Sequence, residues 1–522
     1  MRSTFHGLET SKRSLFVQST MMQTLGHNIA NASTDGYTRQ RVNATATRPL
    51  SMPGMFNSVA PGQLGTGVQY DSITRIRDSF LDVQFRRENQ TLGSWSIVDD
   101  TIRSIEGFFN EPTENGMRSV MDKFWNSWEV LNRDPSLLSA RVEVVGAATN
   151  MTNMMKHIDE SLTKLENDIN SSINIKVNEA NDIINNIANL TDMIKRVEGT
   201  GDNANDFRDQ RDLLIDKLST IVDVQVTEGE HGDMTILAGG VTVVENAEAT
   251  PITADIAATA GQLQGYALSL GEVGKVRDQM NAMVQTMVTG NVQVELAAGY
   301  VASSNLVTKS TVELENGMTI PPGGTIPAGA RLKSAAQVEV NGFNGLHSLG
   351  YSLSDPAKSG IPFFTSTDGG NFSISNIQVN PEITNDVSKI AASGRYDTVN
   401  GQNVTVKGNS VIAHALASLR DKTFNYPSDM TSLSTGSVDD YYRAMMGDMG
   451  TRAANAERNV KVQNDMVDSV IFRRQSVSGV SLDEEMADMI RFQHAYNAAA
   501  RNMTTVDEML DKVINQMGVV GR

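Results

Sequence analysis

Leu482, Met489, Tyr496, Met503, Leu510 and Met517 fall on one seven-residue track close to the end of the chain. Phe492, Ala499, Val506, Val513 and Val520 fall on a second track, three residues after members of the first. Alternating steps of three and four are the a/d pattern of a coiled coil, and here they outlast the ~3–4 heptads usually required. The same spacing also fits a helix buried in an ordinary bundle. Either way, an apolar seam at this place has to be covered by another helix, from the same chain or from a neighbouring copy.

The opposite end carries a weaker stripe of the same kind. Leu8, Leu15, Met22 and Ile29 recur every seven residues, and Phe5 and Leu25 widen the face. The stripe stops at Asn28–Tyr37, where Asn, Ser, Asp and Gly favour a turn. A third helical pattern covers about 154–197, with a skip after Ile169 that resembles a stutter. No Gly or Pro interrupts it, and Gly199 and Gly201 mark its end. A shorter helix is expected around Phe207–Ser219.

The period then changes. Val222, Val224 and Val226 alternate, and two short apolar runs flank Gly239-Gly240, which reads as a hairpin. Residues 291–333 hold Pro321, Pro322, Gly323, Gly324, Pro327 and Gly329 among short Val and Leu runs, and read as a small β-rich insert between helices. Helix resumes near Ser437, with a break at Ser476–Ser481. The expected fold class is therefore α+β. It has long terminal helices forming a coiled coil, a helical rod domain with β elements, and a small inserted β-rich domain. The expected divisions are 1–75 pairing with 476–522, a rod of 76–290 plus 339–475, and the insert at 291–338.

Composition narrows the function. The net charge of −17 argues against nucleic acid or an anionic membrane as a partner. There is no cysteine, which removes disulfides, thiolate metal sites and a Cys nucleophile together. Residues 1–17 lack the apolar core of a cleaved secretory signal, and no stretch approaches the ~20 apolar residues of a membrane span. The seven histidines (His6, His27, His157, His231, His347, His414 and His494) form no H-E-x-x-H or H-x3-H set. Walker A, G-x-G-x-x-G and G-x-S-x-G motifs are also missing. No catalytic residue, cofactor or metal site is expected. Paired acids at Asp439-Asp440 and Glu484-Glu485 fit helix N-termini better than acid–base work. Ser481 and Glu484 have the spacing of a capping box.

Three segments carry a family resemblance. Gly26-His-Asn-Ile-Ala-Asn-Ala-Ser-Thr-Asp-Gly-Tyr-Thr-Arg-Gln-Arg41 resembles the N-terminal signature of flagellar rod, hook and hook-associated proteins. Its family-motif residues here are Asn28, Asn31, Gly36, Tyr37, Arg39 and Gln40. Relatives often have Pro where this chain has Asp35, and either residue suits a turn. Residues 478–493, continuing to Arg501, are similar to the C-terminus of the FlgK family of hook-associated proteins. Asn205-Asp-Phe-Arg-Asp-Gln-Arg-Asp-Leu-Leu214 is similar to a segment of that family that hook proteins lack. Leu346–Tyr351 and Ile390–Ser393 are weaker echoes. The 291–333 insert has no recognised counterpart.

The resemblance implies a structural flagellar protein that joins hook to filament and is needed for filament assembly. It would be exported without a cleaved signal and reside outside the cell at the hook–filament junction. Implied partners are further copies of itself, the hook protein, a second junction protein of the FlgL type, and a cytoplasmic export chaperone. A hook or rod protein is the alternative within the class. An enzyme or adhesin on a coiled-coil scaffold is the alternative outside it.

The expected assembly seam comprises Leu8, Leu15, Met22 and Ile29 with Met489, Phe492, Tyr496, Ala499, Met503, Val506, Leu510, Val513 and Met517. Burying one such side chain contributes about 1.5–3 kcal/mol, while ordering one residue costs about 1–2 kcal/mol of backbone entropy. A lone terminal helix therefore does not hold itself, and the termini are expected to fold together only on assembly.

Overall fold

The computed structural model describes residues 5–49, 64–111, 113–114, 116–354 and 356–516. Helix α1 (His6–Ala30) leads to the antiparallel pair β1 (Gln40–Ala46) and β2 (Val68–Arg75). Four helices follow, α2 (Ser79–Phe109), α3 (Met117–Arg133), α4 (Leu138–Glu198) and α5 (Asn205–Ile221). A four-stranded antiparallel sheet holds β3 (Val224–Glu228), β4 (Met234–Ala238), β5 (Val241–Glu245) and β6 (Glu248–Ala249).

After α6 (Gly261–Thr289) come β7 (Asn291–Leu296), four two-residue strands, β8 (Leu306–Val307), β9 (Val312–Glu313), β10 (Thr319–Ile320) and β11 (Thr325–Ile326), and then β12 (Ala336–Asn341). Next are α7 (Gly342–Ser348), β13 (Phe364–Ser366), β14 (Ile377–Val379), α8 (Pro381–Asn385), β15 (Tyr396–Val399), β16 (Gln402–Thr405) and α9 (Val411–Ser418). The short strands β17 (Phe424–Asn425) and β18 (Thr435–Gly436) precede two long helices, α10 (Val438–Ser478) and α11 (Leu482–Asp511).

Local chemistry explains several boundaries. Gly199 N–H returns to the Lys195 carbonyl at 2.9 Å and ends α4. Gly239 and Gly240 both take positive φ, 55° and 76°, as a two-residue turn between β4 and β5 requires. Ser437 and Asp440 cap α10 reciprocally. Asp440 N–H donates to Ser437 Oγ at 3.1 Å, and Ser437 N–H donates to the Asp440 carboxylate at 3.3 Å. The capping box expected at Ser481 does not form, because Ser481 makes no side-chain cap bond. The Glu484 carboxylate instead meets Arg39 at 2.9 Å, a charge-assisted contact stronger than one to a neutral amide.

The chain forms two compact units, and it passes from one to the other inside α2, α4, α6 and α10. The first takes Met1–Ser96, Ile173–Gly265 and Asn459–Arg522; the second takes Ile97–Ser172 and Tyr266–Arg458. This differs from the division expected from sequence. Residues 76–96, 173–265 and 459–475 pack with the first unit rather than in a separate rod. Boundaries inside continuous helices carry no Pro or turn cluster to announce them, and the lone Gly265 at one of them does not interrupt α6.

The first unit is centred on an apolar core between α4, α5 and the four-stranded sheet. Ile184, Ile187, Ile215, Leu218, Ile236 and Val244 are buried there. The second has an aromatic centre in which Trp128 meets Phe343 and Phe363 edge-on, with centroids at 5.4 and 5.3 Å. The insert belongs to this second unit. Its pairing β7–β12 closes at Asn291–Asn341, three residues past the expected end. It is not a separate body, since Val301 N–H donates to the Gly394 carbonyl at 2.8 Å and Tyr300 Oη to the Leu349 carbonyl at 3.1 Å.

Candidate assembly site

Helices α1 and α11 lie antiparallel within the first unit. Near one end Gly7 faces Val506, with 3.2 Å from a Cβ placed on Gly7 to Val506 Cγ2. Next, Asn502 Nδ2 donates to Ser11 Oγ at 2.8 Å. At the far end Asn28 Nδ2 donates to Glu485 Oε2 at 3.0 Å. Each step forward along α1 is thus matched by a step back along α11.

The seam is only partly covered. Met489, Phe492, Ala499, Met503, Val506 and Leu510 are half-buried, Tyr496 and Val513 are exposed, and Met517 lies outside the described residues. On α1, Leu8, Leu15, Met22 and Ile29 are half-buried too. The most buried apolar side chains of α1 are Val17 and Leu25, beside buried Ser11, Thr24 and Asn28. The covered face therefore lies to one side of the seven-residue track, on a mixed polar stripe that an apolar pattern does not reveal.

The motif residues gather at one end of this helix pair. Asn28 is fully buried and acts as a hub. Its Oδ1 accepts from Gln40 N–H at 3.0 Å and from Tyr37 Oη at 2.8 Å, and its Nδ2 donates to the Gln40 carbonyl at 3.0 Å. Burial first, then the nearby Asp206, Asp209 and Glu485 carboxylates, push the Tyr37 phenol above its ordinary value, so it remains a donor. With its proton given to Asn28, Tyr37 Oη accepts from His27 Nδ1 at 3.0 Å. Asn31 serves the turn itself. Its amide donates to the His27 carbonyl at 3.0 Å, and its Oδ1 accepts from Thr34 Oγ1.

Arg39 joins the motif to the C-terminal segment. Its Nε lies 2.6 Å from Glu485 and its Nη1 2.9 Å from Glu484, while its backbone N–H donates to the Ser478 carbonyl at 2.9 Å. Glu485 is wholly buried, and among the described residues of α11 no other is.

The 205–214 segment closes the other side. Gln40 Nε2 donates to Asp206 at 2.7 Å, and Thr38 N–H donates to Asp209 at 2.9 Å. Gly36, at φ +78°, leaves 3.0 Å between a Cβ placed on it and Leu213 Cβ. Three segments far apart in sequence thus meet in one place.

Beneath them lies a buried ionic lattice of four carboxylates and four guanidiniums. Asp209 and Asp212 hold Arg75 at 2.7 and 2.9 Å, and Arg77 reaches Asp82 at 2.6 Å and Asp212 at 3.2 Å. Arg86 meets Asp216 at 2.8 Å, and Arg474 bridges Asp82 and Asp216 at 3.0 and 2.9 Å. Burial raises the Asp209 carboxyl above its ordinary value despite Arg75. Burial acts on Asp212 in the same sense, but Arg77, Arg75 and Arg86 outweigh it and hold its pKa below the ordinary value. Asp209, Asp212 and Asp216 step by three and four, so they share one face of α5. That spacing was the available signal. A charged helix face usually meets water, and nothing in the spacing distinguishes this one.

Residues 102–364 match the helical domain of the flagellar hook-associated protein FlgK, and 474–517 match the C-terminal domain of the flagellar basal body rod proteins FlgEFG. The chain is 33% identical, over all of both chains, to flagellar hook-associated protein 1 of Bacillus subtilis. The chain belongs to the FlgK family of flagellar hook-associated proteins. The corresponding protein of Escherichia coli is 24% identical over 95% of this chain and 96% of its own. A solved structure of the flagellar hook junction protein FlgK from Burkholderia pseudomallei aligns at TM-score 0.47 and 13% identity, covering 75% of this chain and 100% of that one.

As a FlgK-family member the chain is a structural component of the bacterial flagellum. No described helix is long and apolar enough to cross a membrane. Among the described residues no group of three or more His, Cys, Asp or Glu could hold a metal ion. Glu485 was legible as one of a pair of acids at a helix N-terminus and within the 478–493 segment, but without its partners; Arg75, Arg77, Arg86 and Arg474 lay in no motif.

Proposed function

We propose that this protein joins the flagellar hook to the filament and acts by assembly alone, without catalysis. The observation that carries this reading is the half-buried apolar seam of α1 and α11, anchored at one end by three family segments. A seam left half open offers an apolar face to further copies of the chain and to neighbours of the same build. The neighbours are the hook protein on one side and a FlgL-type junction protein on the other. Before export, a cytoplasmic chaperone covers the C-terminal helix. The protein leaves the cell unprocessed and works outside it, with neither nucleic acid nor membrane as a partner.

Electron microscopy of cells lacking the gene tests this, together with an assay of flagellin in the medium. Hooks without filaments, with flagellin lost to the medium, are expected. Cells without hooks would move the protein down to the hook or rod. Normal filaments would reopen the enzyme and adhesin readings.

A further inference from the structure

We propose that Arg39 and Glu485 are positioning residues that latch a hinge, fixing the angle of the α1–α11 pair against the body of the first unit. Two connectors tie this pair to that body. One runs from α1 to β1 through residues 31–39, and the other is the 479–481 break between α10 and α11. Arg39 spans both. Its backbone N–H holds the Ser478 carbonyl, the last residue of α10, and its guanidinium holds Glu484 and Glu485 in the first turn of α11.

The first connector is itself fixed to α5 by Thr38 N–H on Asp209 and by Gly36 against Leu213. The second is not packed in this way. An open groove of about 940 Å³ runs along it, lined by Gly36, Leu213, Ile471, Val477, Gly479 and Val480. α10 ends at Ser478, and the next residue takes a backbone conformation that suits glycine, since a Cβ on Gly479 would strike the Gln475 carbonyl. With α10 ended and one side open, the direction in which α11 leaves rests on the contacts Arg39 makes across the break, together with those of α1 to the β1–β2 pair, where Arg13 donates to the Thr66 carbonyl at 3.3 Å and Asn28 to the Gln40 carbonyl at 3.0 Å.

The chemistry of the latch is that of geometry rather than of stability. A buried carboxylate paired with a guanidinium gains little over a well-packed apolar pair, because desolvation offsets the attraction. What such a pair supplies is direction. Arg39 hydrogen-bonds Glu484 through Nη1 and sets Nε 2.6 Å from Glu485 Oε1 as an ion pair, a two-point contact that a point charge on a flexible stem does not reproduce. Asn28 holds the other oxygen of Glu485, so the carboxylate has one orientation.

Paired spin labels test the latch, since the chain has no cysteine of its own. Labels at Gln225→Cys and His494→Cys, both exposed, report the angle. Labels at Lys12→Cys and Arg501→Cys, also exposed, report whether α1 and α11 stay together. In the full-length protein assembled with further copies of itself, with doubly labelled chains diluted among unlabelled ones, both distances are expected to be single and narrow. Glu485→Gln should broaden the 225–494 distance and Arg39→Ala should broaden it further, and both should leave the 12–501 distance narrow. Arg39→Lys, which keeps one ion pair, should restore part of the narrow population. A 225–494 distance that stays narrow in Glu485→Gln and Arg39→Ala overturns the proposal, as does one already broad in the parent. Equal broadening of both distances also overturns it, because the two residues then merely hold the helices together.

Discussion

The side-chain amide of Asn502 donates to Ser11 Oγ at 2.8 Å, joining two residues 491 positions apart. The bond registers the first helix on the last, yet the pair it registers covers only one side of each helix. Phe16 on α1 and Met486, Ile490 and Met509 on α11 remain exposed. At about 1–2 kcal/mol of backbone entropy per ordered residue, a half-buried seam gives such a pair little stability of its own. In the isolated subunit, amides of 490–510 should exchange far faster than those of 209–221, which sit in the core of the first unit. Assembly should slow them. Strong protection throughout 490–510 in the isolated subunit would show that the pair is already stable.

Gly36 should not tolerate a side chain. It sits at φ +78° with Leu213 at 3.0 Å from an added Cβ, so Gly36→Ala combines backbone strain with a clash. A loss of about 1–3 kcal/mol is expected in chemical denaturation. Gly26 is the control. It lies within α1 with nothing within 4 Å of an added Cβ, so Gly26→Ala should be neutral or stabilising by up to about 1 kcal/mol. Equal effects at the two positions would refute the packing argument.

Asp212 faces three guanidiniums, with Arg75 at 2.9 Å, Arg77 at 3.2 Å and Arg86 at 3.5 Å. Asp212→Asn leaves the buried lattice with an excess positive charge, and a cost of about 3–5 kcal/mol is expected. Because the lattice is buried, added salt should recover little of it. Adding Arg77→Met to Asp212→Asn should regain part of the loss, since the two changes together restore neutrality. A midpoint that barely moves in Asp212→Asn would mean that water reaches the lattice.

The terminal helices, α5, α10 and the later part of α4 were legible in the sequence because apolar spacing records them directly, whereas α2, α3 and α6 were not delimited from it. Both terminal helices, the break near 479 and the hairpin at Gly239-Gly240 follow from period and turn chemistry alone. The family segments marked Asn28, Arg39 and Gln40 without saying what they touch. Their partners are long-range and polar, as with Glu485 at a distance of 457 residues from Asn28. Hydrophobic patterning is silent on such contacts. It also misplaced the buried face of α1, where Ser11, Thr24 and Asn28 are covered and the Leu8–Ile29 track is only half covered.

His347 gives the second unit a pH dependence whose sign follows from its two hydrogen bonds. Nδ1–H donates to the Ile361 carbonyl at 2.7 Å, and Nε2 accepts from Ala391 N–H at 3.0 Å. The ring is fully buried against Trp128 and Phe363. A second proton would have to displace the Ala391 bond in an apolar site close to Arg141. Burial first, and then Arg141, lower the pKa from 6.5 to about 4, although the Ile361 carbonyl acts in the opposite sense. Between these values the unfolded chain binds a proton that the folded unit refuses. The stability is therefore fully present above pH 6.5 and is lost as the pH falls toward 4. The loss amounts to about 3 kcal/mol at roughly 1.4 kcal/mol per pH unit. Carboxylates titrate in the lower part of this range too, so the measurement is a difference between two proteins. His347→Gln keeps one donor and one acceptor but cannot take up the proton. Its denaturation midpoint, plotted against pH beside that of the parent, should lie lower near pH 7 and converge with it as pH falls toward 4. Parallel curves would show that the imidazole is not what titrates.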